Sequence, residues 1–333
     1  MSQIHMQNKA GLYRLMGLLA VLLSLPLWVS GFLLTQLGSQ VLALGTVTLS
    51  LTFLAGQLGM VSLLQMSLAG VAAYAMAMSG LVAGGLGWGW PLWGSLMLAM
   101  TATLLVSVLA GALAARTEGV YTIMLTLAIG TAFANLTRQN YDLFNGFDGF
   151  SGVRVPNLSG LLSDASNLYA LCLAWAILAL TIVQWVKSTT VGMALNGVRD
   201  NTRRMQSLGY GVIALRITGF GVAGLVAAMG GIAMVWYDKI ITPGRIQVPS
   251  MVDILVMAVM GGFKQPLGPY VGALAYILLK TFAIDVVGPE RFNLLIGLVF
   301  ITVVMCSDDG LTGWVKTARK RKVESGNLER NEK

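Results

Sequence analysis

The feature that most constrains the fold is a long stretch without charge, since no Asp, Glu, Lys, Arg or His occurs between Arg14 and Arg116. A helix that crosses the hydrocarbon core of a bilayer needs about 20 apolar residues, so this stretch is long enough for several crossings. Breaks at 31–38, 55–59 and 80–93 divide it. Transmembrane β-strands alternate apolar and polar residues, and these residues do not. The stretch therefore predicts several membrane-spanning helices.

The composition of the whole chain agrees with a membrane protein. Of the 333 residues, 56% are hydrophobic and 11% are charged, whereas soluble domains have about 25% charged residues. Cys172 and Cys306 both lie in apolar runs, which is typical of small buried side chains rather than of a disulfide or metal pair. We therefore predict an all-α fold, a polytopic bundle of about ten membrane helices with no soluble domain.

Hydropathy divides the chain into ten membrane elements. We predict them at 13–32, 36–55, 58–82, 91–114, 119–138, 167–186, 214–237, 251–263, 267–284 and 291–307. The eighth and ninth form either two short helices or a re-entrant hairpin, because Gly-Gly, Lys264 and Pro266 lie in their middle. One continuous helix would put Lys264 near the bilayer centre, at a cost of roughly 2.5–3.5 kcal/mol. No convincing cleavage site follows the first apolar run, so we expect an uncleaved helix there rather than a signal peptide.

The distribution of basic residues orients the chain. Either span count puts both termini on one side, and if that side is the cytoplasm it collects Lys9, Arg14, Arg116, Lys187, Arg199, Arg203, Arg204, Arg216, Lys264 and the basic run 316–322. The opposite side keeps Arg138, Arg154, Lys239, Arg245, Lys280 and Arg291. This is the positive-inside bias, and it accounts for the net charge of +8 without nucleic-acid binding. We predict a membrane domain over 1–315 and a basic cytoplasmic tail over 316–333.

One polar segment lies between two apolar runs, "GMALNGVRDNTRRMQSLGYG" at 192–211. We predict that it is a helix, stabilised by i,i+3 and i,i+4 pairing of Asp200 with Arg203 and Arg204. Gly209 suits its C-terminal end. Two interpretations remain: an interfacial linker whose arginines contact anionic lipid, or a docking helix for a cytosolic protein.

Several motifs resemble one transporter family. The pattern Gly192-x-Ala194-x-x-Gly197-x-Arg199-Asp200-Asn201, followed by Gly209, resembles the EAA-type cytoplasmic loop of ABC importer permeases. The chain looks most similar to LivM-type permeases of branched-chain amino acid transporters. Further resemblances lie in the stretches "FLAGQLGMVSLLQMSLAGVAAY" (53–74), "EGVYTIMLTLAIG" (118–130), "NGFDGFSGVRVP" (145–156), "ILVMAVMGGFKQPLGPYVGA" (254–273) and "DGLTG" (309–313).

The resemblance implies a function and partners. It implies a permease subunit of the bacterial inner membrane that carries branched-chain or related hydrophobic amino acids. A LivH-type permease subunit, two ATP-binding subunits and a periplasmic binding protein would be its partners, with membrane lipid around it. Within the cytoplasmic loop 187–213 the residues implied to couple to the ATPase are Gly192, Ala194, Arg199, Asp200, Asn201, Arg203 and Gly209.

The residues themselves argue against other functions. No phosphate-binding loop occurs, since "GGFKQP" lacks Lys-Ser or Lys-Thr after a glycine, so we expect no cofactor and expect ATP to be bound by partner subunits. His5 is the only histidine, which disfavours catalytic and metal sites. A secondary transporter coupled through Asp253, a passive channel and a permease for urea or short amides stay as alternatives.

Two further groups are candidates for a role in transport. Uncharged polar residues inside spans suit a pathway for amino acids or, alternatively, helix–helix hydrogen bonds: Gln57, Gln65, Ser67, Thr122, Thr126 and Asn135. The external loop 145–156 combines turn-forming glycines with three phenylalanines, Phe144, Phe147 and Phe150, which we expect to be exposed. Its candidates for binding-protein contact or gating are Gly146, Asp148, Gly149 and Gly152; the alternative is that the phenylalanines anchor the loop in lipid.

Overall fold

The computed structural model describes residues 31, 34–80, 87–156, 164–263, 265–287, 297–298 and 301–302. A π-helical segment, Leu34–Ser39, leads into the first α-helix. The α-helices are α1 (Gln40–Leu58), α2 (Gln65–Ser79), α3 (Leu92–Ala114), α4 (Val120–Gln139), α5 (Tyr141–Phe144), α6 (Asp164–Ser188), α7 (Thr190–Asp200), α8 (Thr202–Ser207), α9 (Val212–Asp238), α10 (Val248–Gly261) and α11 (Gly268–Val287). A short antiparallel ladder joins β1 (Phe150–Ser151) to β2 (Ile240–Ile241), and a 3-10 turn spans Pro243–Ile246.

The predicted all-α membrane bundle is confirmed. Five helical segments are long and apolar enough to cross a membrane: Leu37–Leu58, Leu92–Ala114, Val120–Gln139, Asp164–Ser188 and Val212–Asp238. The eight predicted elements between residues 36 and 284 all contain a helix. The predicted elements 13–32 and 291–307 lie almost wholly outside the described residues.

The predicted span 58–82 is wrong at its start, because Leu58 still belongs to α1 and the next helix begins only at Gln65. α1 ends where Gly59 adopts a left-handed φ of 67°. Residues 60–64 then run without helix to Gln65, whose side-chain oxygen accepts a 2.9 Å hydrogen bond from Ser50. Ser50 is about 12 Å from the end of α1 at 1.5 Å per residue, so α2 begins beside the middle of α1. Such a non-helical segment is tolerated because it is covered by protein and its Leu63 N–H donates to Thr126 Oγ1.

The bundle has a central group and a peripheral group of helices. α1, α2 and α9 are buried around most of their circumference, which marks core helices. α3 instead buries one stripe of small residues, and its other side exposes Trp93, Met97, Leu105, Leu109 and Leu113. Gly230 and Gly231 of α9 allow close packing, because a Cβ at either would overlap backbone atoms of α1 or α2.

The ambiguous segment 251–284 forms two packed helices. α10 ends at Gly261, and α11 starts at Gly268. The two run antiparallel and touch through glycine, since a Cβ at Gly261 would overlap the Gly268 carbonyl and a Cβ at Gly272 would overlap the Met257 carbonyl. A single continuous helix is therefore excluded. Lys264 lies outside the described residues.

Candidate functional site

The predicted docking helix is two short helices rather than one. α7 ends at Asp200, and Asn201 is extended with φ −158° and ψ 96°. The Asn201 side chain then caps α8 by accepting a 2.9 Å hydrogen bond from the Arg204 N–H, a preferred role for Asn at a helix start. Gly209 has a left-handed φ of 83° just after α8, as its predicted stop role requires.

The predicted pairing of Asp200 with Arg203 and Arg204 is wrong. The break at Asn201 removes the helical spacing on which that pairing depended. Asp200 Oδ1 instead accepts from Nε and Nη2 of Arg199, both at 3.1 Å. Among the described residues, the side chains of Arg203 and Arg204 have no hydrogen-bond or ion-pair partner.

The inner face of α7 fastens the segment to the bundle. Leu195 and Val198 are fully buried in a cluster with residues of α1, α6 and α9. Gly192 makes the turn from α6 possible, because a Cβ there would overlap the Val186 carbonyl oxygen. Ala194 is only partly buried. α7 is therefore a packed element of the bundle and not a loose linker.

Arg199 ties the segment to the C-terminal end of α1. Its Nη1 donates a 2.5 Å hydrogen bond to the Gly56 carbonyl oxygen, and its side chain lies against Gly59. The last carbonyls of a helix carry partial negative charge, which favours a guanidinium at this place. Arg199 is thus occupied within the chain, although it was predicted only as a contact for a partner.

The outer side of the segment is apolar and basic. Met193 is 63% exposed, Leu208 is 65% exposed and Tyr210 is 51% exposed. Arg203 and Arg204 are exposed as well. Large apolar side chains next to unpaired cations suit contact with another macromolecule.

A buried arginine, counted in the sequence analysis only as a cytoplasmic charge, lies just beyond the segment. Arg216 of α9 is 7% exposed and donates to the Ala115 carbonyl at 2.9 Å and to the Glu118 carboxylate at 2.8 Å. These bonds join the start of α9 to the turn between α3 and α4. An isolated arginine one turn inside an apolar run is the signal that would have found it.

Four of the six candidate pathway residues differ in where they lie and in what they contact. Thr126 and Ser67 meet at the contact of α2 with α4, where Thr126 accepts from Leu63 N–H and Ser67 donates to the Gly130 carbonyl at 3.4 Å. Thr122 is buried one turn earlier, 3.0 Å from the Thr117 hydroxyl. Asn135 is exposed on the opposite side of α4, so the structure does not bring it to this contact.

The two candidate glutamines contain unpaired polar atoms. Gln57 lies near the end of α1 and Gln65 at the start of α2, and both are buried. Among the described residues, Gln57 Oε1 and Gln65 Nε2 have no hydrogen-bond partner. The buried stripe of α4 continues to Thr137. The sequence analysis missed this residue, although steps of four and then three residues from Thr122 lead to it. Unpaired buried amide groups are costly and are candidates for contact with a passing polar solute.

The external loop is folded onto the bundle. Gly146, Gly149 and Gly152 all have left-handed φ angles, of 55°, 60° and 77°. Gly149 is the most constrained, because a Cβ there would overlap the Ile241 carbonyl of the neighbouring strand. Asp148 is exposed.

The expectation of three exposed phenylalanines is wrong for two of them. Phe150 is buried in the ladder and stacks edge-on against Tyr74, with ring centroids 6.3 Å apart. Phe144 is partly buried against Tyr74 as well. Phe147 is 54% exposed, with the Arg138 guanidinium 4.2 Å from its ring centroid. The strand pairing of β1 with β2 draws Phe150 inward, which a spacing of three residues did not predict.

Comparison with known proteins agrees with these features. A family described as "Branched-chain amino acid transport system / permease component" matches residues 33–304. The chain is 21% identical over 231 residues to the high-affinity branched-chain amino acid transport system permease protein LivM of Salmonella typhimurium, covering 62% of this chain and 54% of the relative. It is 20% identical to LivM of Escherichia coli over the same shares.

An archaeal relative is similar over a shorter stretch. The probable branched-chain amino acid transport permease protein LivM of Methanocaldococcus jannaschii is 22% identical over 161 residues, which cover 46% of this chain and 45% of the relative. The chain thus spans about half the length of the curated relatives that it matches. No solved structure matches it. Since the family match spans most of the sequence and all the membrane helices described above, the chain belongs to the family of permease components of branched-chain amino acid transport systems.

Proposed function

We propose that the chain is the membrane-spanning permease subunit of an ABC importer for branched-chain or related hydrophobic amino acids. The family and the transport systems named for its relatives support this proposal. The observation that carries it is the segment of α7 and α8, which is fastened to three bundle helices on one side and presents unpaired arginines on the other.

The outer side of this segment is the proposed contact with a cytoplasmic ATP-binding subunit. Two such subunits bind and hydrolyse ATP, and the chain itself is not catalytic. Motion of the docked segment reaches the bundle by two routes. Leu195 and Val198 press on α1, α6 and α9, and Arg199 holds the end of α1. A segment that is packed this rigidly against the bundle is suited to transmit motion, whereas a lipid anchor does not need such packing.

Further partners complete the proposed transporter. A LivH-type permease subunit would cover part of the exposed apolar faces, and a periplasmic binding protein would deliver substrate to the side that carries loop 145–156. The chain would lie in the bacterial inner membrane with both termini in the cytoplasm. The basic residues of α7 and α8 and of the 115–118 turn support this orientation.

Reconstitution tests the proposed activity. The permease is purified with its co-expressed partner subunits, placed in proteoliposomes and supplied with loaded binding protein and ATP. We expect uptake of radiolabelled leucine that requires both ATP and binding protein. Uptake of urea in place of leucine would contradict the substrate class, and uptake driven by an ion gradient without ATP would contradict the ABC mechanism.

A double variant tests the coupling contact. Arg203→Glu/Arg204→Glu reverses charges that have no partner among the described residues, so we expect normal membrane insertion but loss of ATP-dependent uptake and of ATPase co-purification. Arg138→Glu, at the other end of the bundle, is the matched control and should leave ATPase co-purification unchanged. Normal uptake by the double variant would favour the interfacial linker.

A further inference from the structure

A charged cavity lies at the end of the bundle that carries the β1–β2 ladder. It is formed between α1, α9, α10 and α11, and we call it the outer cavity. Its polar lining includes Asp238, Arg245, Asp253, Tyr276 and Lys280, besides three uncharged polar side chains. None of the five named residues belongs to the pathway candidates or to the coupling segment described above.

The polar lining contains two acids and two bases held close together. Arg245 Nη2 lies 2.7 Å from Asp238 Oδ1, and the Asp238 side chain is only 7% exposed. The Tyr276 hydroxyl donates to the Asp253 carboxylate, which also lies near Lys280. The charges of the four groups sum to zero. A ligand with a net charge would therefore leave one charged group of the lining unpaired. A zwitterionic ligand can pair with an acidic and with a basic group of the lining at the same time.

An apolar layer lies one turn deeper on each of three helices. Met234 precedes Asp238 by four residues on α9, and Met257 follows Asp253 by four residues on α10. Ile277 precedes Lys280 by three residues on α11. All three also line the cavity. One helical turn is about 5.4 Å, so the charged layer and the apolar layer are separated by roughly the length of a small amino-acid side chain.

The cavity is small, with a volume of about 60 Å³. A branched aliphatic side chain must therefore displace the side chains of Met66, Met234 and Met257, which line it. Methionine has three rotatable bonds and a polarisable thioether, and it adapts readily to different apolar shapes.

We infer that the outer cavity binds a free α-amino acid with an apolar side chain as it enters the permease. The inference rests on the proposed function and adds a binding site to it. Asp253 receives the α-ammonium group, and Arg245 and Lys280 receive the α-carboxylate. The methionine layer receives the side chain. Substrates that lack one of the two charged groups, such as amides or amines, lose half of the polar contacts.

Direct binding tests the site without the delivery protein. The detergent-purified complex, free of binding protein, is incubated with radiolabelled leucine and with unlabelled competitors. We expect competition by leucine and valine, and at least tenfold weaker competition by leucine methyl ester, which lacks the carboxylate, and by N-acetylleucine, which lacks the ammonium. Equal competition by all four, or no leucine binding, would overturn the inference.

Variants connect the site to transport. Asp253→Asn removes a charge while keeping an acceptor for Tyr276, and Met257→Trp fills the apolar layer. We expect each to lower leucine binding at least tenfold and to lower the maximal uptake rate, while the ATPase stimulation by loaded binding protein persists. Asp253→Glu should restore part of the binding. Asp142→Asn, an exposed carboxylate that does not line the cavity, is the matched control.

The outcomes separate the two proposals. If wild-type complex takes up leucine with ATP but Asp253→Asn and Met257→Trp behave like Asp142→Asn, the cavity is not the site and the transport function stands. If the wild-type complex takes up no amino acid with ATP, the proposed function fails. Leucine binding with the expected competition would then still support the cavity as a binding site, and the absence of such binding would overturn the cavity as well.

Discussion

The two ends of the bundle use charge in opposite ways. At the end that carries α7 and α8, Arg203 and Arg204 are exposed without an acidic partner among the described residues. At the end that carries the β1–β2 ladder, Arg245 pairs with a nearly buried Asp238, and Asp253 lies near Lys280. One end presents two exposed arginines without a partner among the described residues, and the other places four charges that sum to zero around a cavity.

This difference matches the size of the proposed ligands. A surface with exposed arginines, Met193 and Leu208 offers many weak contacts, as large protein partners require. Two acids and two bases around a small cavity offer few contacts in a small volume, as a free amino acid requires. The two ends therefore suggest a protein contact on one side and a small-molecule contact on the other.

Removal of the buried anchor should have the largest effect on the coupling end. Leu195→Ala deletes a fully buried side chain, and such deletions cost about 2–5 kcal/mol. We expect a marked fall in the thermal unfolding temperature of the purified permease together with loss of uptake. Met193→Ala on the exposed side of the same helix should leave that temperature nearly unchanged and weaken ATPase co-purification. Equal destabilisation by both would show that α7 is not packed as described.

Substitution of the buried Arg216 should have the next largest effect on stability. Arg216→Met removes a buried charged hydrogen bond to the Ala115 carbonyl, and such bonds contribute about 1.5–3 kcal/mol. We expect a lower unfolding temperature and slower ATP-coupled uptake. Glu118→Gln should change either quantity little, because that carboxylate is 69% exposed and exposed ion pairs contribute about 0–1 kcal/mol. A larger effect of Glu118→Gln than of Arg216→Met would contradict this assignment.

Two left-handed glycines provide a comparison between the ends. Gly149→Ala at the ladder end adds a Cβ against the Ile241 carbonyl, whereas Gly209→Ala after α8 adds one with nothing within 4 Å. Both incur the left-handed penalty of about 1–2 kcal/mol, and only the first also breaks the ladder. We therefore expect a larger drop in unfolding temperature for Gly149→Ala. Reversed order would mean that the ladder does not hold the external loop.

A small effect on stability is expected at Arg199. Arg199→Gln weakens the bond to the Gly56 carbonyl, but the side chain is 43% exposed, so the loss should stay near 1 kcal/mol. Coupling should suffer more than stability, since the end of α1 is released from α7. Uptake measured per bound ATPase would show this; an unchanged ratio would place the role of Arg199 elsewhere.

Hydropathy predicted α3 and α4 closely, and the start of α2 less well. The predicted spans 91–114 and 119–138 differ from α3 and α4 by one residue at each shifted end, because Pro91, Arg116 and Gly119 interrupt the apolar runs there. Residues 59–64 are as apolar as the helices beside them, so composition contained no signal that α2 starts beside the middle of α1. Only the Ser50–Gln65 contact reveals it.

The candidate site was predicted in position but not in detail. The sequence located the polar segment at 192–211, since charge between apolar runs is visible directly. The predicted pairing within this segment was wrong because Asn201 ends one helix and caps the next. The neighbouring residues do not show whether Asn201 continues a helix or interrupts it. The outer cavity could not be predicted at all, because Asp238, Asp253 and Lys280 come from three helices that meet only in the folded chain.

Photo-crosslinking from the two ends tests the central claim most directly. A benzoylphenylalanine residue replaces Ser207 on α8 in one permease and Asp148 in the external loop in another, both exposed positions, and the assembled transporter is irradiated in native membranes. The account predicts an adduct between position 207 and the ATP-binding subunit, and none between that subunit and position 148. Adducts of position 207 with lipid alone, or an ATPase adduct from position 148, would contradict it.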